Sequence, residues 1–264
     1  MTPEERIDKI IDGIEAAIKK GADDASRNLI KGLTEWVDKL PTKEGKAVRG
    51  KELDKMLASL DNTMNKLIRE SSYPAAVIET ARSFDDIQKY ALEMLQEANK
   101  GLNVAQDATR LGISAMRESA VETLTERLTT ADVTVLVKEP IRQAIIRNVQ
   151  SGSSTSEVRR FLVESLSKPE NAELAPFARH ASQIALDGVL GWDGQIYDRF
   201  RSEYEVNEIR YIGSLIADSR PQCIRWVRTM GGKIPMDKLQ AEINWAMKNG
   251  SGMKKFTTPS TFCT

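Results

Sequence analysis

The stretch RYIGSLIADSRPQC, residues 210–223, breaks the pattern of everything before it. Roughly two hundred residues of apolar side chains at helical spacing lead up to it. Within it Tyr211, Gly213, Asp218, Ser219, Arg220, Pro221 and Cys223 crowd together with no helical period. Ile209, Tyr211 and Ile212 sit among polar residues, with Leu215-Ile216 close after Gly213, which predicts a short strand or hairpin. The run GGKIPMDKLQAEINWAMKNG (231–250) then opens a last helix at Pro235-Met236-Asp237. Leu239, Ile243, Ala246 and Met247 mark its apolar face, and Asn249-Gly250 closes it. The expected fold is therefore mainly α: an elongated helical bundle with long helices, ending in a small C-terminal α+β module. The expected divisions are an N-terminal helical region 1–130, a helical part 131–208 and a basic module 209–264.

Upstream of that break, the helices announce themselves by caps and stripes. Thr2-Pro3-Glu4-Glu5 has the capping-box pattern with proline at the first helical position. Ile7, Ile10, Ile11, Ile14 and Ile18 follow on one face, and Gly21 reads as the stop. A second helix carries Leu29, Ile30, Leu33, Trp36, Val37 and Leu40, ending at Pro41, and TKEGKAVRG (42–50) reads as an exposed basic loop. Leu53, Leu60 and Leu67 recur every seven residues, either a short coiled-coil seam or the core face of a bundle helix. From near Ser83 to Leu128 the helical phase persists for over forty residues. It is either one long helix or a run interrupted at Gly101 and Gly112. Pro140 is expected to kink or divide the helix 133–149. Ser154 and Glu157 form a second capping box, and the helix they start ends before Pro169. A further helix runs from about Ala175 to Tyr204, with a break expected at Gly191-Trp192-Asp193-Gly194, a turn-like run.

Composition narrows the function classes. The chain has 264 residues, 41% hydrophobic and 29% charged, with 38 basic and 38 acidic side chains. From Ile209 onward nine Lys or Arg stand against three acids, a surplus of six, and since the whole chain is neutral the preceding residues carry six net negative charges. A basic end on an acidic body is drawn either to a polyanion or to an acidic partner surface, or is a solvated end. Arg225, Arg228, Lys233, Lys248, Lys254 and Lys255 are the candidate DNA contacts, with Lys238 also in the run and Trp226, Trp245 and Phe256 interleaved. MTPEERIDKI is acidic and amphipathic rather than a secretory leader, and no run is apolar enough for a membrane span, so a cytoplasmic history is expected.

Two cysteines, Cys223 and Cys263, and one histidine, His180, are too few for most metal or Cys/His catalytic sites. Ser219 has no base, the glycines of GWDG and GGK lack phosphate-loop spacing, and Asp23-Asp24 and Asp85-Asp86 read as helix-start acids. No enzyme activity, cofactor or metal is expected.

From about Pro140 to its end the chain resembles the head-morphogenesis, or minor head, proteins of tailed bacteriophages, the group typified by the F protein of phage Mu. The looser half of the likeness is STSEVRRFLVESL (154–166) and LAPFARHASQIALDGVLGWDGQIYDRF (174–200), where Phe177-Ala178-Arg179 matches an aromatic-Ala-Arg run. The specific half is Tyr211, Gly213, Asp218, Ser219, Arg220 and Cys223, matching an aromatic-x-Gly strand, Asp-Ser/Thr-Arg and a following Cys. GGKIP and its helix match the family's Gly-Lys-aliphatic run. The family's closing Asn-Cys-Arg-His/Cys element is missing from FTTPSTFCT (256–264). The resemblance implies a virion component, assembled in the host cytoplasm and associated with the portal vertex or inner capsid. Its implied partners are the portal or capsid protein, other copies of itself and packaged double-stranded DNA. Asp218 and Arg220 would hold a turn with Cys223 beneath it. The alternatives are a DNA-binding protein acting on the packaged genome, or a helical scaffold that leaves before the particle matures.

Overall fold

The computed structural model describes residues 1–48, 50–101, 103–167, 175–204, 208–210, 221–231 and 233–249. In chain order these form α1 (Pro3–Asp38), a hairpin of β1 (Thr42–Lys43) and β2 (Lys46–Ala47), α2 (Lys51–Arg69) and α3 (Tyr73–Ala98). Then come α4 (Val104–Arg110), α5 (Ile113–Glu126), α6 (Glu139–Gln150), α7 (Thr155–Leu166) and α8 (Pro176–Glu203). The chain finishes with β3 (Glu208–Arg210), α9 (Pro221–Ile224), β4 (Lys233–Pro235) and α10 (Met236–Asn249). The fold is mainly α, with long helices and a small C-terminal strand-and-helix module. Two compact units are formed, one from residues 1–90 and 115–189, the other from 91–114 and 190–264. They follow packing rather than chain order and so cut across the stretches 1–130, 131–208 and 209–264. Among the described residues no helix is long and apolar enough to cross a membrane.

In the first unit α1 packs along α2 and α7, and α6 packs on α7 and α2. Ile14, Ile18, Leu29, Leu33, Leu60, Met64, Ile145 and Leu162 are among its fully or nearly fully buried side chains. Both predicted capping boxes form, Thr2 with Glu5 and Ser154 with Glu157. The heptad leucines belong to an ordinary core face, on which Leu53 and Leu60 are buried and Leu67 meets α1 at Gly32.

Gly21 is not a stop. It lies inside a single 36-residue α1, and a Cβ placed on it would meet Tyr73 Cα at 2.9 Å. The glycine is there because the first turn of α3 crosses α1 at that point, a tertiary demand that has nothing to do with ending a helix. Nor does α3 begin near Ser83. It starts at Tyr73, with Pro74 in the first turn where its missing N–H goes unused. Asp24 explains the rest: its carboxylate accepts from Ser72 N at 2.8 Å and Ser72 Oγ at 3.0 Å, capping α3 from the middle of α1. Those bonds, the backbone one foremost, hold the Asp24 carboxyl below its usual range. The pair Asp23-Asp24 thus does not start its own helix. Asp85 likewise lies within α3 and pairs with Arg117.

The long helical phase from Ser83 is broken at both glycines. The helix α3 ends at Ala98, Asn103 caps α4 by accepting from Gln106 N, and Gly112 turns left-handed (φ +70°) between α4 and α5. Downstream of α5 the helix does not stop at Pro140. It widens into two π-helical stretches, Arg127–Ala131 and Thr134–Lys138, and runs on into α6 with Pro140 in the first turn. Widening displaces the regular ladder, so a carbonyl loses its ordinary partner and a residue without N–H is tolerated. Tyr73 Oη donates to the Leu128 carbonyl at 2.8 Å inside the first of these stretches, while its ring meets Phe177 edge-on at 4.9 Å. Burial pushes the Tyr73 phenol well above its ordinary value. Tyr73→Phe should therefore lower the unfolding free energy by about 1–2 kcal/mol, since it strands a buried carbonyl while sparing the ring. A denaturant midpoint equal to wild type would show that the hydroxyl is not holding this turn.

Two more corrections belong to this unit and its neighbour. TKEGKAVRG contains a tight hairpin: Glu44 (φ 55°) and Gly45 (φ 76°) form the two-residue turn, and Thr155 N donates to Gly45 O at 3.0 Å. The helix α8 is unbroken through its three glycines. Ala185, Val189, Trp192, Ile196 and Phe200 form one buried stripe running straight through them, and burial of that stripe outweighs the glycines' poor propensity. Gly188 leaves room for Leu124, whose Cδ1 would lie 2.6 Å from an added Cβ.

Candidate functional site

The second unit holds the C-terminal module, and its local rules are visible in the chain. The helix α9 passes into a π-turn, Arg225–Thr229, which Gly231 ends with a left-handed φ of +63°. That reversal feeds β4 back along β3, antiparallel, with Ile209 opposite Ile234. The expected strand at Ile209 therefore exists, and its partner is the GGKIP run more than twenty residues on. Pro235 ends β4, and Asp237 in the first turn of α10 suits the helix dipole.

Trp226, Ile234, Leu239 and Ala246 are the buried core, with Met230, Ile243 and Trp245 packed around it. One acid enters this core. Glu242 is only 7% exposed, and it lies on the same face of α10 as Leu239 and Ala246. Arg225 grips it as a fork, Nε to Oε2 and Nη2 to Oε1, both at 2.7 Å, and Trp226 Nε1 donates to Oε2 at 3.3 Å. A π-turn packs more residues into each turn, so neighbouring side chains diverge less, and successive residues Arg225 and Trp226 both reach one carboxylate. The Arg225 guanidinium also lies 4.7 Å from the centroid of the Trp245 ring. The Arg225 fork holds the Glu242 carboxyl below its ordinary range against the opposing effect of burial, with Trp226 and the charge of Lys238 adding to it. Glu242 in turn raises Arg225.

The sign of the pH effect follows. A carboxyl depressed on folding stabilises the module above its unfolded value, about 4.3, and that contribution disappears as pH falls through the folded value. Glu242→Gln should lower the module's stability at neutral pH, and the gap from wild type should close as the solution is acidified below pH ~4. Amide-exchange protection of residues 234–246 across pH reads this. A gap of constant size would mean that the charge of Glu242 does not hold the fork.

Of the residues singled out in the sequence, Tyr211, Gly213, Asp218, Ser219, Arg220, Lys254, Lys255 and Cys263 lie outside the described residues. Cys223 belongs to α9, but its side chain lies outside them too. Arg228, Lys233 and Lys248 are exposed. Arg225 is forked to Glu242 and only partly exposed, and Trp226 is completely buried. Glu242 is the residue that the sequence reading passed over. The signal was present: an acid three residues after Leu239 and four before Ala246 stands on an apolar face, and a buried acid requires a cation beside it. Among the described residues no group of three or more His, Cys, Asp or Glu is placed to hold a metal ion. His180 is half-buried in α8.

No protein-family model, curated protein or solved structure matches the chain.

Proposed function

We propose that this chain is a minor head protein of a tailed bacteriophage, seated at the portal vertex or inner capsid and acting in head assembly and in DNA packaging or ejection. The observation that supports it most is the pairing of β3 with β4. Glu208–Arg210 leads directly into the Tyr211–Cys223 run, and Lys233–Pro235 is the Gly-Lys-aliphatic run of the same resemblance. The strands that flank this run in sequence therefore pair with each other, and the module they belong to is held by Trp226 and the Arg225–Glu242 fork.

On this reading the helical unit is the docking body, meeting the portal protein, the capsid protein or other copies of the chain. The C-terminal module is a rigid knob, and the role is structural rather than catalytic. Imaging of intact particles from the source tests it. Density for α1, α2, α6 and α7 at a single vertex is the expected result. A chain present in immature heads but missing from finished particles would overturn the reading in favour of a scaffold.

A further inference from the structure

We propose that one flank of α10, the stripe Lys238–Trp245–Lys248, is a binding surface for the sugar–phosphate backbone of nucleic acid. Positions 238, 241, 245 and 248 are separated by three, four and three residues, so they line one side of the helix. That side adjoins the core face of Leu239, Glu242 and Ala246, and Trp245 itself packs against the edge of the core. Lys238, Ala241 and Lys248 are exposed, and Trp245 is half-buried.

What separates this stripe from an ordinary solvated helix side is how its middle is held. The Trp245 indole lies against the Arg225 guanidinium, and Arg225 is itself locked by two 2.7 Å bonds to Glu242. The aromatic ring is thus pre-positioned, and meeting a ligand costs it little rotamer freedom. Glu242 is turned inward, buried and balanced by Arg225, so it does not repel an anion at the surface, and the exposed acid beside the stripe is Asp237 at its Lys238 end. Between the lysines the stripe carries Ala241 and the Trp245 ring, with a cation at each end.

Ten residues of helix place the two lysines about 15 Å apart. That is too far for both to hold one small anion, but it suits phosphates about two nucleotides apart along a strand. The ring between them is what a sugar or base packs on, which carboxylates of an acidic protein surface would leave unused. Arg228, exposed on the preceding π-turn, adds to the positive charge of the module.

The test uses the full chain and a short fluorescein-labelled DNA, as duplex and as single strand, followed by anisotropy over a range of salt. Wild type should bind at low salt with a steep salt dependence. Lys238→Gln/Lys248→Gln should weaken binding about tenfold or more and reduce the log–log salt slope by about 2, one unit per lost contact. The charge-keeping pair Lys238→Arg/Lys248→Arg should bind as wild type does. Lys31→Gln/Lys55→Gln, two exposed lysines of the helical unit, should leave binding unchanged. The proposal is overturned if wild type shows no retention at low salt, if the control pair loses as much as the α10 pair, or if polyglutamate competes as well as DNA. The last result would identify an acidic protein surface as the partner. Binding is read in solution and particle location in images, so this inference and the head-protein reading fail separately.

Discussion

Trp226→Ala is expected to unfold the C-terminal module while the chain remains otherwise helical. Trp226 is completely buried and is the largest side chain in a core whose other buried members are Ile234, Leu239, Glu242 and Ala246. Truncating such a ring typically removes about 3–5 kcal/mol, comparable with the whole stability of a small folded unit. The loss spreads beyond packing, because the indole N–H is one of the three donors to Glu242. With it gone, the buried carboxylate relies on Arg225 alone. Amides of Ile234, Leu239 and Ala246 should exchange at rates close to those of an unstructured chain, and the β3–β4 pairing should go with them. Trp226→Phe keeps most of the ring but not the donor and should fall between the two. Protection at Ile234 and Ala246 equal to wild type in Trp226→Ala would mean that this core does not hold the module together.

The second large effect contrasts one substitution at two sites of one helix. Gly13→Ala should stabilise the chain by about 0.5–1 kcal/mol, because nothing lies within 4 Å of the added methyl and alanine is the better helix former. Gly21→Ala should destabilise it by about 1–3 kcal/mol, the usual range for overpacking a tight contact. There the methyl would face Tyr73 Cα at 2.9 Å, Ala76 Cβ at 3.2 Å and Tyr73 N at 3.3 Å. These are backbone atoms and a short side chain, which have no rotamer to escape into. The turn cannot shift cheaply either, since Asp24 caps it and Tyr73 Oη is tied to Leu128 O. Denaturant unfolding of the two variants beside wild type settles the matter. A stabilised Gly21→Ala would show that the crossing of α3 over α1 is looser than the structure has it.

The two glycines also show what could be read in advance. Helix starts were legible because their determinants are local: Thr2 with Glu5, and Ser154 with Glu157, each satisfy a backbone donor three residues away. The core faces of α2 and α7 were legible for the same reason, as burial repeats with the helical period. Gly21 and Gly191 read locally as breaks, but whether a glycine ends a helix depends on what the helix around it packs against. At Gly21 that is a helix fifty residues downstream, and at Gly191 a buried stripe carries the helix through. Pro140 marks a boundary within 133–149, since the π-helical stretch ends at Lys138 and α6 opens with the proline in its first turn.

At the candidate site the division is similar. Basic charge with interleaved aromatics could be counted from the residues, and a strand at Ile209 followed from its neighbours. Which cations remain available could not be counted. Arg225 and Lys248 look alike in sequence, yet one is forked to Glu242 while the other stands exposed. By itself the sequence determined a mainly α chain, its capped helices and a basic C-terminal module, because propensity, capping and periodicity act over a few residues. Only the tertiary structure decided where helices cross, which acid is buried and which aromatic ring lies at the surface, because those depend on contacts between residues far apart in the chain.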